Sequence, residues 1–316
     1  MKTNSQIVTT PSLPSERGVG GEGSILVTGA CGQLGNEMQL QAKQHPEYNW
    51  FFTDIISPEG SDIQVLDICS QEAVTEFVQA HQIDILVNCA AYTAVDKAES
   101  DPEKANMLNA IAVGFLSLAM EHRHGQMIQI STDYVFDGTA HTPYTEDLPT
   151  SPNSVYGRTK LSGEIALKVN NPSGMIIRTA WLYSRFGNNF VKTMLRLGRE
   201  RKELGVIFDQ IGTPTYARDL ASAIMSAIRH GIVPGTYHFS NEGVCSWYDF
   251  TRAIHRLGGI TDCQVRPLHT SEYPTPAARP HYSVLDKTKF KQTYNFDIPY
   301  WEDSLRECIG ELAFLN

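Results

Sequence analysis

Between residues 24 and 44 a short apolar run, Ile25-Leu26-Val27, leads into Thr28-Gly29-Ala30-Cys31-Gly32-Gln33-Leu34-Gly35. A helical pattern from about Gln33 towards Gln44 follows. A strand, a tight glycine turn and a helix start, in that order, admit few folds. Glycines let backbone approach a phosphate closely, and the free N–H groups of a helix N-terminus attract its charge. At the first turn of a doubly wound α/β sheet this arrangement cradles the pyrophosphate of a dinucleotide. The spacing is G-x-x-G-x-x-G, one residue longer at the front than G-x-G-x-x-G, and the plainer alternative is an ordinary glycine-rich turn. Gly29, Gly32 and Gly35, with Gln33 and Leu34, are the candidate phosphate-loop residues.

The next acidic residue weighs against the plainer alternative. Asp54 closes the strand Asn49–Thr53 about twenty residues past the glycines, where an acid can bind the adenosine ribose hydroxyls. Taken alone, a solvated turn aspartate competes with that reading. No Arg or Lys lies between Lys43 and Lys97, so no nearby cation greets a 2′-phosphate and NADH is expected to be accepted. Val65-Leu66-Asp67-Ile68 ends a third short strand and brings Asp67 towards the adenine. Asp84-Ile85-Leu86-Val87-Asn88-Cys89-Ala90-Ala91 reads as a buried parallel strand opening into a small-residue turn. A helix over Pro102–His122 and a strand over Met127–Ile130 follow. Strands alternating with helices predict a Rossmann-like, doubly wound parallel sheet with its ligand at the C-terminal strand edge.

The chemistry is expected at the end of that strand. Thr132, in Ser131-Thr132-Asp133-Tyr134, puts a hydroxyl where a substrate oxygen could sit; a strand-ending hydroxyl satisfied by backbone is the alternative. Residues 139–152 read as a loop, and Pro152 begins a helix that carries Tyr156, Lys160 and Glu164. Residues four apart share one helix face. A fixed ammonium stabilises a phenolate, so Lys160 would lower the Tyr156 pKa from its usual ~10. Such a phenol can hand a proton to a carbonyl oxygen. Tyr and Lys at this spacing occur on many solvated faces. The glycine turn and the sheet order are what give the pair meaning.

Beyond residue 170 the pattern continues with strand Met175–Arg178, helix Asn188–Glu200, strand Val206–Phe208, helix Ala217–Arg229 and a last helix around Trp301–Phe314. The expected organisation is a loose leader over 1–23, a dinucleotide-binding unit over 24–180, and a smaller α/β unit over 181–316. That last unit is mainly substrate-binding, with some segments returning to the first. A formal net charge of −9, with 35 acids against 26 Lys and Arg and no basic block, argues against nucleic acid or an anionic bilayer as partner. No apolar run reaches the ~18–20 residues of a membrane span. The six cysteines are dispersed, with no CxxC pair, and read as reduced thiols of a cytoplasmic protein.

Together these signatures resemble the extended short-chain dehydrogenase/reductase superfamily and, within it, the dTDP-4-dehydrorhamnose reductases. The resemblance covers nearly the whole chain from Ser24. It is carried by TGACGQLGNE (28–37), NCAAYTAVDKAE (88–99), STDYVFDG (131–138), SVYGRTKLSGE (154–164), RTAWLY (178–183), GNNFVKTMLR (187–196), DQIGTPT (209–215) and YPTPAARP (273–280). The glycine loop and the Tyr/Lys pair specify only the superfamily; the later segments narrow it.

The resemblance implies reduction of the 4-keto group of dTDP-4-dehydro-L-rhamnose by NADPH or NADH, giving dTDP-L-rhamnose for cell-surface polysaccharide. Tyr156 would be the general acid. Lys160 would hold the nicotinamide ribose and keep the Tyr156 pKa low, while Thr132 would tune the proton transfer. Gly32, Gln33, Leu34, Asp54, Asp67, Ile68, Ala91, Tyr92 and Thr93 would line the cofactor. Thr132, Asp133 and Trp181 would touch the sugar nucleotide, although Trp181 reads equally well as a core residue. Asn188, Gln210 and Arg279 are further substrate-side candidates, and the Arg279 fork suits a diphosphate. The nucleotide base is inherited from the resemblance alone. So is a Mg²⁺-linked homodimer, at positions matching Glu37, Glu200 and Glu311; on residue chemistry those three read as solvated helix carboxylates.

Two rivals share parts of this pattern. One is another nucleotide-sugar enzyme of the superfamily, an epimerase or a dehydratase. A dehydratase would need two acids after the threonine, and here Asp133 is followed by Tyr134. The other is a non-enzymatic subunit resembling the regulatory β subunit of methionine adenosyltransferase.

Overall fold

Seven short apolar segments pair side by side, every pair parallel, to make one sheet in the computed structural model, which describes residues 23–314. Residues 1–22 of the expected leader lie outside the described residues. In spatial order the strands are Gly235–His238, Met175–Thr179, Gln126–Thr132, Ile85–Asn88, Ser24–Thr28, Asn49–Asp54 and Gln64–Val65. The chain runs outward from Ser24–Thr28 through the 49 and 64 strands, then returns to 85 on the other side. The carboxyl ends of Ser24–Thr28 and Ile85–Asn88 therefore flank a switch point, where a doubly wound sheet opens a crevice.

Successive strand residues face opposite sides. Ile25 and Val27 pack with Met38 of helix Gln33–Gln44 and Leu220 and Ile224 of helix Ala217–His230. Leu26 faces the other layer, with Val74, Leu116 and Leu167. All of these are buried, and each such side chain contributes about 1.5–3 kcal/mol by leaving water. A second core lies in the C-terminal part. Leu195, Leu204, Val206, Phe250, Ile254, Val265 and Leu305 fill the space between the parallel pair Glu203–Ile207 and Gln264–Leu268 and helices Phe190–Glu200, Trp247–Leu257 and Trp301–Phe314.

Several boundaries differ from expectation for identifiable reasons. The Tyr/Lys helix begins at Val155 rather than Pro152, because the Ser154 hydroxyl caps it by accepting from Gly157 N at 3.1 Å. The helix expected from Asn188 starts at Phe190, with Asn189 accepting from Lys192 N. The long helix expected over 102–122 is interrupted by a turn of π-helix at Met107–Ile111 and ends at Arg123; a separate helix, Val95–Ser100, precedes it. No helix among the described residues is long and apolar enough to cross a membrane.

Candidate active site

The glycine turn is pressed from two directions. Gly29 has φ +68°, and a Cβ there would stand 2.6 Å from Ala90 N at the end of the neighbouring strand. A Cβ on Gly35 would stand 2.2 Å from Gly29 O, so the helix is seated directly on the turn. Gly32 caps that helix without any side-chain bond, and no acid occupies the first turn, which leaves N–H groups and the positive end of the helix dipole for an anion. Asp54 braces the turn: Oδ2 accepts from Cys31 N at 2.9 Å and Oδ1 from Ile55 N at 2.7 Å. Below the turn Thr28 Oγ1 donates to Asn88 Oδ1, and Asn88 Nδ2 to Gln129 Oε1. This buried ladder ties three neighbouring strands together beneath the site.

A cleft of about 1010 Å³ opens from here across the sheet edge, at the top of the usual ~300–1,000 Å³ range for ligand sites. Gly29, Gly32, Gln33, Leu34, Asp54, Asp67, Ile68, Ala91 and Thr93 line it together with Tyr156, Lys160, Thr132 and Asp133 and with Trp181, Asn188 and Arg279. Asn188 lies beside the glycine turn, since its neighbour Asn189 donates to Gln33 Oε1 at 2.9 Å. A dinucleotide fits the part along the glycine turn by its donor set: bare N–H groups for phosphates, Asp54 for ribose hydroxyls, and Leu66 and Ile68 as apolar walls. Three expected residues do not line the cleft. Gly35 serves packing. Tyr92 turns its ring into a cluster with Ala98 and Ala105. Gln210, between strands Glu203–Ile207 and Ile211–Gly212, is buried and donates to Thr270 Oγ1 at 3.1 Å.

At the centre Tyr156, Thr132 and Asp133 line the cleft together, and Thr132 Oγ1 donates to Asp133 Oδ1 at 2.9 Å. Burial pushes the Tyr156 phenol up to about 12, against a lowering by Thr132. The expected depression by Lys160 is not found. Its Nζ donates to Ile130 O at 2.6 Å, and burial takes its own pKa down to about 8, partly opposed by Glu164. Glu164 is itself saturated by both arms of Arg178 (2.8 and 2.7 Å) and by Ser131 Oγ (2.6 Å). Asp133 is raised to about 6 by burial, opposed by the Thr132 and Ser283 hydroxyls, and its Oδ2 is buried without a partner.

Trp181 stacks on Trp247, with ring centroids 3.5 Å apart and planes 11° from parallel. Trp181 holds φ +49°, a costly conformation for a bulky residue and a mark of functional positioning. It thus both faces the cleft and packs into the second core. Arg279 lines the cleft with its fork committed to Asp96, at 2.8 and 2.7 Å. The three carboxylates expected around Mg²⁺ are not gathered. Glu200 pairs with Arg196 on an exposed face, while Glu37 and Glu311 turn towards Arg218. No cluster of three metal-ligating side chains exists among the described residues, which offer Mg²⁺ no fitting site.

Asn109 escaped the sequence reading. In the π-helical turn, its Oδ1 accepts from Tyr92 N (2.9 Å) and its Nδ2 donates to Tyr92 O and Thr159 Oγ1 (both 3.1 Å). It thus fixes the 91–93 loop to the Tyr/Lys helix. A buried Asn inside an apolar helix was the available signal. Trp247 and Tyr134, whose ring meets Tyr156 edge-on at 5.5 Å, also went unassigned.

A doubly wound sheet, a glycine turn at its switch point and a Tyr/Lys helix beside a hydroxyl-bearing strand end define an extended short-chain dehydrogenase/reductase. Residues 23–314 match the family described as RmlD substrate binding domain, and the chain belongs to that family. It is 41% identical over 298 residues to the dTDP-4-dehydrorhamnose reductase of Salmonella typhimurium, covering 92% of this chain and 98% of that one. Among solved structures it resembles a dTDP-4-dehydrorhamnose reductase from Clostridium acetobutylicum (45% identity, TM-score 0.85, 92% and 99% of the two chains). It also resembles one from Bacillus anthracis in complex with NADP (37% identity, TM-score 0.82, 92% and 99%).

Proposed function

We propose that the protein reduces the 4-keto group of dTDP-4-dehydro-L-rhamnose with NADPH or NADH, giving dTDP-L-rhamnose. The observation that carries this is the convergence of half-buried Tyr156 with Thr132, Asp133 and Lys160 in the same cleft that the glycine turn and Asp54 line. Family membership and reductase relatives matched over nine-tenths of the chain supply the substrate.

A nicotinamide cofactor, which the glycine turn, Asp54 and Lys160 would hold, would supply the hydride for C4 when bound. The chain's own work is at the oxygen. Reduction turns a carbonyl oxygen into an alkoxide, a far stronger base than a phenolate, so a phenol held protonated is the right donor. A raised Tyr156 pKa therefore suits this direction. Thr132 orients the phenol while passing its own proton towards Asp133. Lys160, charged below about pH 8 and lining the cleft with Nζ on the Ile130 carbonyl oxygen, is placed to hold the nicotinamide ribose. Asp133 Oδ2 is free to accept from a sugar hydroxyl. The Trp181–Trp247 stack offers a flat apolar wall, and Arg279 offers a fork for the diphosphate. Asp54, with no Lys or Arg between Lys43 and Lys97 in the sequence, supports use of NADH; the Bacillus anthracis relative holds NADP. The same reading assigns residues 181–316 mainly to the substrate. It also takes the protein as a cytoplasmic homodimer, on the support of the family resemblance and six free thiols.

Purified protein should oxidise NAD(P)H only when the 4-keto sugar nucleotide is present; an epimerase or a regulatory subunit would consume none. Tyr156→Phe should lower kcat by about 10²–10⁴ with cofactor affinity nearly intact, and full turnover in that variant would remove the proton-donor role. With pH, kcat/KM should fall above about 8 as Lys160 loses its proton, well before Tyr156 at about 12. An alkaline limb that persists unchanged in Lys160→Met would assign it elsewhere.

A further inference from the structure

Glu37 sits two residues past Gly35 on the helix that carries the glycine turn, and only 1% of it is exposed. Its Oε1 accepts from Ser184 Oγ at 2.6 Å, while Oε2 is buried with no hydrogen bond. A buried carboxylate in that state calls for a cation. The nearest is Arg218, on helix Ala217–His230: its Nε lies 3.5 Å from Glu37 Oε2. The same guanidinium donates through Nη1 to Glu307 Oε1 at 2.6 Å and through Nη2 to Glu311 Oε1, both on helix Trp301–Phe314. The other Glu311 oxygen accepts from Tyr216 OH at 2.9 Å and has Arg185 at 3.7 Å.

We infer that Arg218 is a permanent internal cation at the point where a metal would sit between Glu37 and Glu311, joining the glycine-turn helix to the terminal helix without a metal. Mg²⁺ demands oxygen ligands at ~2.0–2.1 Å in near-octahedral order and retains waters. Here Arg218 stands between the carboxylates and engages the Glu311 oxygen that a metal would need. A guanidinium stays charged at any working pH and reaches several carboxylates through a planar fork. The seat of the glycine turn is thereby made independent of divalent ions, whatever reaction the cleft performs.

The test compares thermal unfolding and light-scattering mass of the whole protein in EDTA and in excess MgCl₂, with Mn²⁺ binding followed by EPR. For the unaltered protein, Tm and mass should be the same in both buffers and no Mn²⁺ should bind tightly. Arg218→Met leaves Glu37, Glu307 and Glu311 facing one another. Its Tm should fall by a few degrees or more in EDTA, and Mg²⁺ should restore part of the loss while Mn²⁺ binds. The inference is overturned if EDTA lowers the Tm or mass of the unaltered protein and Glu37→Gln abolishes that response. It is equally overturned if Arg218→Met is as stable as the parent and indifferent to Mg²⁺. Should Arg218→Met fail to fold, the unaltered protein and Glu37→Gln still decide.

Discussion

Along the glycine turn the cleft wall is backbone: Gly29 rests on Ala90, Gly35 on Gly29, and the Asp54 side chain that braces the turn accepts from main-chain N–H groups through both oxygens. The facing wall is made of side chains drawn from distant segments. Trp181 is stacked on Trp247, and Arg279 is held across the cleft mouth by Asp96. The first wall has no slack, since a single methyl would strike main chain on either side. The second is a set of contacts that can be exchanged one at a time. A scaffold built this way keeps its cofactor class while its sugar specificity is adjusted by substitution, because only one wall can change without moving the sheet.

Gly35→Ala should break the first wall outright. The new Cβ would meet Gly29 O at 2.2 Å and Ala30 Cα at 2.6 Å, and neither atom belongs to a flexible side chain. We expect a loss above about 4 kcal/mol, at the extreme of single substitutions, seen as a large drop in the urea midpoint together with loss of NAD(P)H binding. A Gly35→Ala protein with parental stability and cofactor affinity would show that the wall has slack after all.

The same contrast explains what the sequence disclosed. The turn, Asp54 and the Tyr156/Lys160 pair are local patterns whose spacing dictates which atoms come together, and the structure brings them to one cleft. Gln210 was assigned to the sugar side from a segment resemblance, yet a segment does not say which of its side chains turns towards Thr270 instead. Asn109 acts through a π-helical turn that no periodicity reveals, and Trp247 matters because another tryptophan far along the chain lies on it. Spacing put Lys160 on the Tyr156 face of the helix, but burial sets both pKa directions, and Lys160 Nζ is held by the Ile130 carbonyl.

Trp247→Ala probes the second wall at moderate cost. It removes the ring against which Trp181 lies, and a stacked aromatic pair is worth about 0.5–1.5 kcal/mol beyond the area it buries. Without that support Trp181 has less reason to keep φ +49°. Affinity for the sugar nucleotide should fall by about tenfold, equivalent to ~1.4 kcal/mol, while cofactor affinity stays put. Calorimetric titration of each ligand measures both. Equal losses for the two would mean that the walls are mechanically continuous, contrary to the comparison.

Asp96→Asn should give the smallest change and addresses where the walls touch. Asp96 lies on helix Val95–Ser100, directly after the 91–93 loop proposed for the cofactor, and Arg279, proposed for the sugar nucleotide, lines the same cleft. The pair is partly exposed, with 43% and 21% of the two side chains accessible, so its worth to stability is about 1 kcal/mol or less. The Arg279 bond holds the Asp96 carboxyl below its usual range, so the pair is ionised throughout neutral pH. While both arms of the fork are on Asp96, a diphosphate can have Arg279 only by displacing a carboxylate. Asn cannot hold the fork with a charge, so the cation is released towards the cleft. Tm should barely move, and KM for the sugar nucleotide should fall severalfold, most clearly at low salt where the freed charge is least screened. A rise in KM instead would make Asp96 the residue that aims Arg279, and the carboxylate would then belong to the sugar wall rather than compete with its ligand.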